Sequence, residues 1–237
     1  VGALTGVTAG GAAKVSLVAG QAVNGAASNL GGAIVLDATV ASAGSGDAIG
    51  LAGHRLINNA GATALLADQG RWLIWSGDPA QDRLGGLRPD FKQYNAIFGS
   101  GAAAQAAGNG LLYTLAPVLV PSLTGSVVKV YDGDASAGLT AANLAVSGAV
   151  EGDIVVLRAN GQYDTRNAGS AKTVTATDIG IASATSGGAT VHGYQLLDAA
   201  AAPIGTISPR TLRIAADDQS MFTFDPLPPF TASYIGL

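Results

Sequence analysis

The chain has no cysteine, one methionine and two histidines, and only 12% of its 237 residues are charged and 5% aromatic. Without cysteine there is no disulfide framework, no thiolate metal centre and no cysteine nucleophile. The charged share is about half the ~25% usual in soluble domains. Even so, no apolar run reaches the ~18 residues that cross a bilayer. The longest, Leu111 to Leu123, is broken by Thr114, Pro117 and Pro121, so no membrane insertion is expected. A net charge of −4 and a pI near 4.9 supply no cationic face for nucleic acid or anionic lipid. The opening VGALTGVTAGG lacks a basic stretch followed by an apolar one, so no export leader is visible. Abrupt ends favour an excised piece of something longer over a chain that stays inside.

What is present is glycine (34 residues), alanine and β-branched side chains. Residues 1–76 read as short strands between Gly, Asn and Ala turns, at Lys14–Ala19, Ile34–Ala38, Ala48–Ala52, Leu56–Ile57, Ala64–Leu66 and Arg71–Ser76. Leu17 and Leu36 fall at matching places 19 residues apart, which points to a solenoid with one coil about every 20 residues. One coil cannot stand alone. Ordering ~19 residues costs about 1.5 kcal/mol each, and three or four buried aliphatics return only ~2 kcal/mol apiece. Stacking on neighbours must supply the rest. An alanine-rich helix is disfavoured, because frequent glycines cost about 1 kcal/mol each in a helix.

Residues 77–125 break the pattern. Asp78-Pro79, Gly85-Gly86 and Pro89-Asp90 carry turn chemistry, and Phe91, Tyr94 and Phe98 are the aromatics of a cap over the last coil. GSGAAAQAAGNG then reads as a short helix or a linker. Strands resume from 126, and alternation in VVKVY and TVTAT predicts half-buried antiparallel strands of a small sandwich, residues 126–210. Residues 211–237 contain Pro226, Pro228 and Pro229 and end in an alternating stretch, Phe230 to Ile235, with no evident partner.

The chemistry is sparse. His54 and His192 lie 138 residues apart, no G-x-S-x-G elbow occurs, and both read as surface or turn histidines. Of sixteen acids fifteen are aspartate; Asp47, Asp78, Asp132 and Asp153 sit beside turn residues, and Glu151 is the single glutamate. Only Asp37, Asp47 and Asp68 occur in residues 1–76, too few to pair acids on adjacent coils for glycoside chemistry. Asp132-Gly133-Asp134 lacks the further ligands and closing Glu of a calcium loop and reads as a turn. No catalytic residue, metal ligand or cofactor site is expected. Trp72 and Trp75 alternate faces of one strand, so one points away from the interior. It either packs under the cap with Phe91 or Tyr94 or offers Trp75 as an aromatic platform for glycan rings.

GRWLIWSGDPAQDRLGGLRPDFKQYNAIFG (70–99), with RLINNAGATAL (55–65) before it, resembles a stretch of filamentous haemagglutinin-like exoproteins of two-partner secretion systems. LLYTLAPVLVPSLTGSVVKVYDGDASAGL (111–139), VSGAVEGDIVVL (146–157) and YDTRNAGSAKTVTATDI (163–179) resemble the lead-in and body of the YDG domain of those proteins. ISPRTLRIAADDQSMFTFDPLPPFTASYIGL (207–237) is similar to the junction opening a glycine-rich β-repeat, with Phe222-Thr223-Phe224 where a Tyr-Gly pair is usual. The resemblance implies an all-β chain. Residues 1–76 would be the end of a right-handed parallel β-helix, 77–125 a cap and linker, 126–210 an antiparallel YDG-like domain, and 211–237 the start of a further repeat. It also implies a non-enzymatic segment of a fibre or adhesin, secreted or at the surface of a Gram-negative bacterium, serving attachment or a biofilm matrix. The unpartnered stretch Phe230 to Ile235 adds the expectation that copies of the chain associate through an assembly strand carrying Phe230, Ala232 and Tyr234, with host or matrix glycans as further partners. The alternative is a glycan-binding or polysaccharide-active β-helix acting through Trp75 or Asp68.

Overall fold

The computed structural model describes residues 15–18, 33–36, 40–42, 48–67, 70–98 and 106–236. Among these residues the chain is all-β, with strands in several sheets, no closed barrel, and only single turns of 3₁₀ helix at Pro79–Gln81 and Ala141–Asn143. The strands of the first half are β1 (Val15–Val18), β2 (Ala33–Leu36), β3 (Val40–Ser42), β4 (Ala48–Ala52), β5 (Arg55–Asn58), β6 (Leu65–Ala67), β7 (Arg71–Ser76), β8 (Phe91–Gln93) and β9 (Gly110–Tyr113). Those of the second are β10 (Val118–Leu123), β11 (Val127–Val130), β12 (Ser136–Ala137), β13 (Leu144–Ser147), β14 (Asp153–Tyr163), β15 (Gly169–Ser186), β16 (Ala189–His192), β17 (Gln195–Leu196), β18 (Ala200–Ser208), β19 (Arg213–Ala216) and β20 (Ala232–Ile235). Two compact units form. One holds the described residues up to 121 with 146–158 and 180–198; the other holds 122–145, 159–179 and 199–236.

In the first unit three parallel ladders run through the early strands: β1 with β4 and β4 with β7, β2 with β5, and β3 with β6. Ala33 faces Arg55, Val40 faces Leu65 and Ala48 faces Arg71, offsets of 22, 25 and 23 residues. Leu17 is aligned with Leu51 and Leu36 with Asn58, so the 19-residue match between Leu17 and Leu36 is not a neighbour relation. Strands of like composition occur more than once between true neighbours, and spacing alone cannot tell one ladder from another. β3 was not legible at all.

The first ladder continues in parallel through β9, β8 and β16. Its register lines up Leu51, Ile74, Leu111, Lys92 and Val191 in one row. Leu51, Ile74 and Leu111 are fully buried in the larger core cluster, so Lys92 occupies a place in an aliphatic row. The opposite face of the same strands buries Leu73, Leu112 and Phe91 in a second cluster. There Gly110 stands between Leu73 and Phe91, and the Phe91 ring lies over it, filling the space its missing side chain leaves. The turns are closed by side chains. Asn58 donates to the carbonyls of Gly61 and Leu84 and accepts from the Ala60 N–H, while Asn109 accepts from the Trp72 N–H. Residues 77–125, expected as cap and linker, contribute β8, β9 and β10. Gly99–Gln105, most of the low-complexity stretch, lie outside the described residues.

In the second unit β18 pairs antiparallel with β15, Val174 opposite Ala202, as the TVTAT alternation predicts. β11 pairs with β18 in parallel, Val127 opposite Gly205, so the antiparallel arrangement expected for VVKVY does not hold. Alternation reports which face is buried and carries no information about a neighbour's direction. Tyr163 is the buried centre of this unit's core. Its ring covers Gly205 and its hydroxyl donates to the Val127 carbonyl at 2.9 Å.

Candidate functional site

The buried position of Lys92 dictates the first unit's polar centre. An ammonium set in an aliphatic row is tolerable only when paired. Asp153, at the first position of β14, supplies the partner: its Oδ1 lies 3.3 Å from Lys92 Nζ, with side-chain exposures of 13% for Lys92 and 0% for Asp153. Lys92 also donates to Ser186 Oγ at 2.7 Å. Asp153 Oδ2 accepts from the Tyr94 hydroxyl at 2.6 Å and from the Tyr194 hydroxyl at 2.8 Å. Both tyrosines enter from chain reversals after β8 and β16. At Gly193 (φ +83°) an added Cβ would meet the Tyr94 carbonyl at 2.1 Å, so the close passage of the two reversals requires glycine there. The Tyr94 ring stacks on Tyr113 and meets Tyr194 edge-on. Burial alone would raise the Asp153 pKa, but the hydrogen bonds and the Lys92 charge outweigh it and hold the carboxyl below its ordinary range. The same burial, with the neighbouring carboxylate, pushes Tyr194 up to about 12 and Tyr94 higher still.

A second carboxyl, Asp82, follows the 3₁₀ turn that Asp78 caps through the Ala80 N–H. Its Oδ1 accepts from the Leu56 N–H and from Ser76 Oγ, each at 2.7 Å, tying β5 to β7. Its Oδ2 is buried and unpartnered; the Tyr113 hydroxyl approaches the same carboxyl without a well-formed bond to that oxygen. Burial pushes the Asp82 pKa up. A cleft of about 300 Å³ lies beside the pair, lined by Asp82, Lys92, Tyr113, Glu151, Pro79 and Leu84 among others. Two carboxyls with pKa values driven apart is an acid–base pattern. The bonding opposes that use here. Both Asp153 oxygens accept hydrogen bonds from within the protein, and Asp82 Oδ2 is buried. The centre binds strands together. The sequence reading missed it, taking Asp153 as a turn residue.

The structure separates the residues singled out from sequence. Trp72 is buried in the larger core cluster, while Trp75 lies on the other face of β7, half-buried. Phe98 meets the Trp75 ring edge-on at 5.1 Å, so the cap aromatic over it is Phe98, with Phe91 in the same cluster. Tyr94 is inside, on the opposite face. Asp68 lies outside the described residues. His54 and His192 are both exposed. The stretch Phe230–Ile235 is not an orphan: β20 pairs antiparallel with β19, Tyr234 opposite Ile214 and Ala232 opposite Ala216. Phe230 and Tyr234 are exposed on that ribbon, at 80% and 57%.

In the second unit, Tyr131-Asp132-Gly133-Asp134 forms a tight turn after β11. Gly133 takes φ +88°, and Asp132 Oδ1 accepts from the Asp134 N–H at 3.2 Å. Lys129 Nζ sits between the two acids, 2.8 Å from Asp132 Oδ1 and 2.6 Å from Asp134 Oδ1, and 5.7 Å from the Tyr163 ring centre. The lysine fills the place between the carboxylates that a cation would take. Among the described residues no group of three or more acids or histidines could hold a metal. Residues 114–202 match the sequence profile of the YDG domain. A YDG domain is present here. Comparison with curated proteins and with solved structures gives no match.

The turn that carries the YDG letters is thus electrostatically closed. Hydrogen bonds from Lys129 and Ser136 lower the Asp134 pKa to about 2. Replacing Lys129 by methionine is expected to return Asp134 toward the ordinary value of about 3.9. Side-chain carbon shifts followed through an NMR pH titration read this directly, and an unchanged midpoint would mean the ion pair does not form in solution.

Proposed function

We propose that this chain is a structural, non-enzymatic segment of a bacterial secreted or surface fibre or adhesin, serving as spacer, display scaffold and self-assembly unit. In this reading β1 to β7 are coils at the end of a right-handed parallel β-helix, and the YDG domain follows as an antiparallel-rich β-module. The observation that carries it is the set of three parallel ladders, in which β2–β5, β3–β6 and β4–β7 join strands 22 to 25 residues apart and β1 meets β4 at an offset of 34. Successive coils lying over one another produce this pattern, with stability supplied by stacking. Polar centres consumed internally support a scaffold role. The apolar ribbon β19–β20, exposed on both faces, supports association with further copies. The resemblance to filamentous haemagglutinin-like exoproteins adds a Gram-negative, two-partner-secreted setting. Glycan binding through Trp75 is the weaker reading, because Phe98 and the second core cluster already occupy that ring's surroundings.

Negative-stain electron microscopy of the purified chain tests this. Rods or filaments are expected, with shorter or monomeric particles after deletion of residues 226–237. Compact particles under all conditions, or a glycan array showing saturable binding lost on Trp75→Ala, would replace this reading with the second.

A further inference from the structure

The hairpin of β15 and β16 turns at Gly187 and Gly188, both with positive φ. Its ladder holds for two pairs, Ser186 with Ala189 and Thr185 with Thr190, and then stops. Continued register would set Ala184 against Val191, Ser183 against His192, Ala182 against Gly193 and Ile181 against Tyr194. Two things prevent it. β16 is drawn into the parallel ladder with β8, the Tyr94 N–H donating to the His192 carbonyl, and Gly193 at φ +83° turns the chain away. The edge of β15 away from β14, where β15 and β16 diverge, and the facing residues of β16 and its reversal line an open groove of about 490 Å³. Its floor is apolar: Ala184 and Val191 belong to the core, and Ile181 and Tyr194 pack against it. Its rim, at Ala182, Ser183 and His192, is exposed and small on the β15 side. A strand edge over an apolar floor accepts extended backbone, not a compact ligand.

We propose that β20 of a second copy adds to the β15 edge at residues 181–184; this rests on the self-association reading above and names its receiving site. Four features of the chain select that occupant. β20 is four residues long, matching the four positions the hairpin leaves open. Among the described residues β20 pairs with β19 alone, and a two-stranded ribbon is marginal in water without a third strand or a packed face. Its Tyr234 and Ile235, with Phe230 and Ile214, are exposed. Neither Ala-Ser-Tyr-Ile nor residues 181–184 carry charge, so joining them desolvates no unpaired ion. Strand and receiving groove are different surfaces of one chain, so the contact is heterologous and propagates as an open filament.

The cysteine-free chain makes the test direct. Ser183→Cys and Ser233→Cys are introduced singly and together in the full chain and treated with a short bismaleimide linker. The double variant is expected to give a ladder of covalent oligomers on a denaturing gel, and each single variant no more than dimers. Oligomers by size exclusion or microscopy with no ladder above the single variants would overturn the receiving site and leave self-association standing. Monomers without cross-links would sink both. A cross-linked monomer would overturn the proposal by showing that the segment docks on its own chain. Circular dichroism of each variant confirms that the exposed serines were changed without loss of fold.

Discussion

Asp153→Asn lowers the stability of the first unit by about 3–5 kcal/mol, the usual effect of removing one partner of a buried ion pair. The loss is large because Lys92 stays in its aliphatic row with an uncompensated charge, and two tyrosine hydroxyls lose a charged acceptor. A melting temperature lower by on the order of 10 °C is the expected reading for a chain of this size. The two carboxyls respond to pH with opposite sign. The Asp153 pKa is depressed by folding, so its contribution is complete above the unfolded value of about 3.9 and fades as acid titrates the folded carboxyl. The Asp82 pKa is raised, so its contribution is complete below about 3.9 and is lost as pH climbs through the higher folded value. Asp82→Asn is therefore expected to hold or increase stability at neutral pH and to flatten the slope above pH 4, while Asp153→Asn removes the acid-side slope. Denaturant melts of the three proteins across pH 3–8 decide it, and identical profiles would show that neither carboxyl is linked to folding.

Gly110→Ala is the second large effect. An added Cβ would lie 2.1 Å from the Phe91 ring, and that ring is fully buried between Leu73, Leu112 and Ala96, so it has no alternative place. Overpacking of this kind costs about 1–3 kcal/mol where neighbours can shift and more where they cannot. The position is not one of conformational freedom: Gly110 sits within β9, and what matters is the approach of the ring. The double variant Gly110→Ala with Phe91→Leu is expected to recover part of the loss, giving a positive coupling in a double-mutant cycle. Strict additivity would mean that the two residues do not share that space.

Much of the secondary structure was legible and the site was not, for a specific reason in each case. The bounds of Arg71–Ser76 and Ala48–Ala52 are legible in the sequence, since β-prone runs between glycine turns have few competing conformations. Asp153 does close a turn and open β14, but its inward role is not legible because both phases of DIVVLR are apolar. Ile154 and Val156 alternate with Val155 and Leu157, and the pattern does not say which pair faces in. Lys92 was invisible for the same reason, as the three residues of β8 carry no period and their inward phase is set by β9 and β16. Phe230–Ile235 was recognised as a strand, but its partner β19 lies beyond a proline-rich excursion that no local signal spans.

Composition alone determined that this chain is built of strands: small and β-branched side chains, abundant glycine and scarce charge cannot pay for a helical core, and the absence of cysteine closes off covalent staples. Tertiary structure decided which strands are neighbours and in which direction they run, and so brought Lys92, Tyr94, Asp153 and Tyr194 onto one point. The reason is that side-chain alternation encodes burial of a face within one strand, whereas register and direction are properties of pairs, settled only when separated segments compete for the same backbone hydrogen bonds.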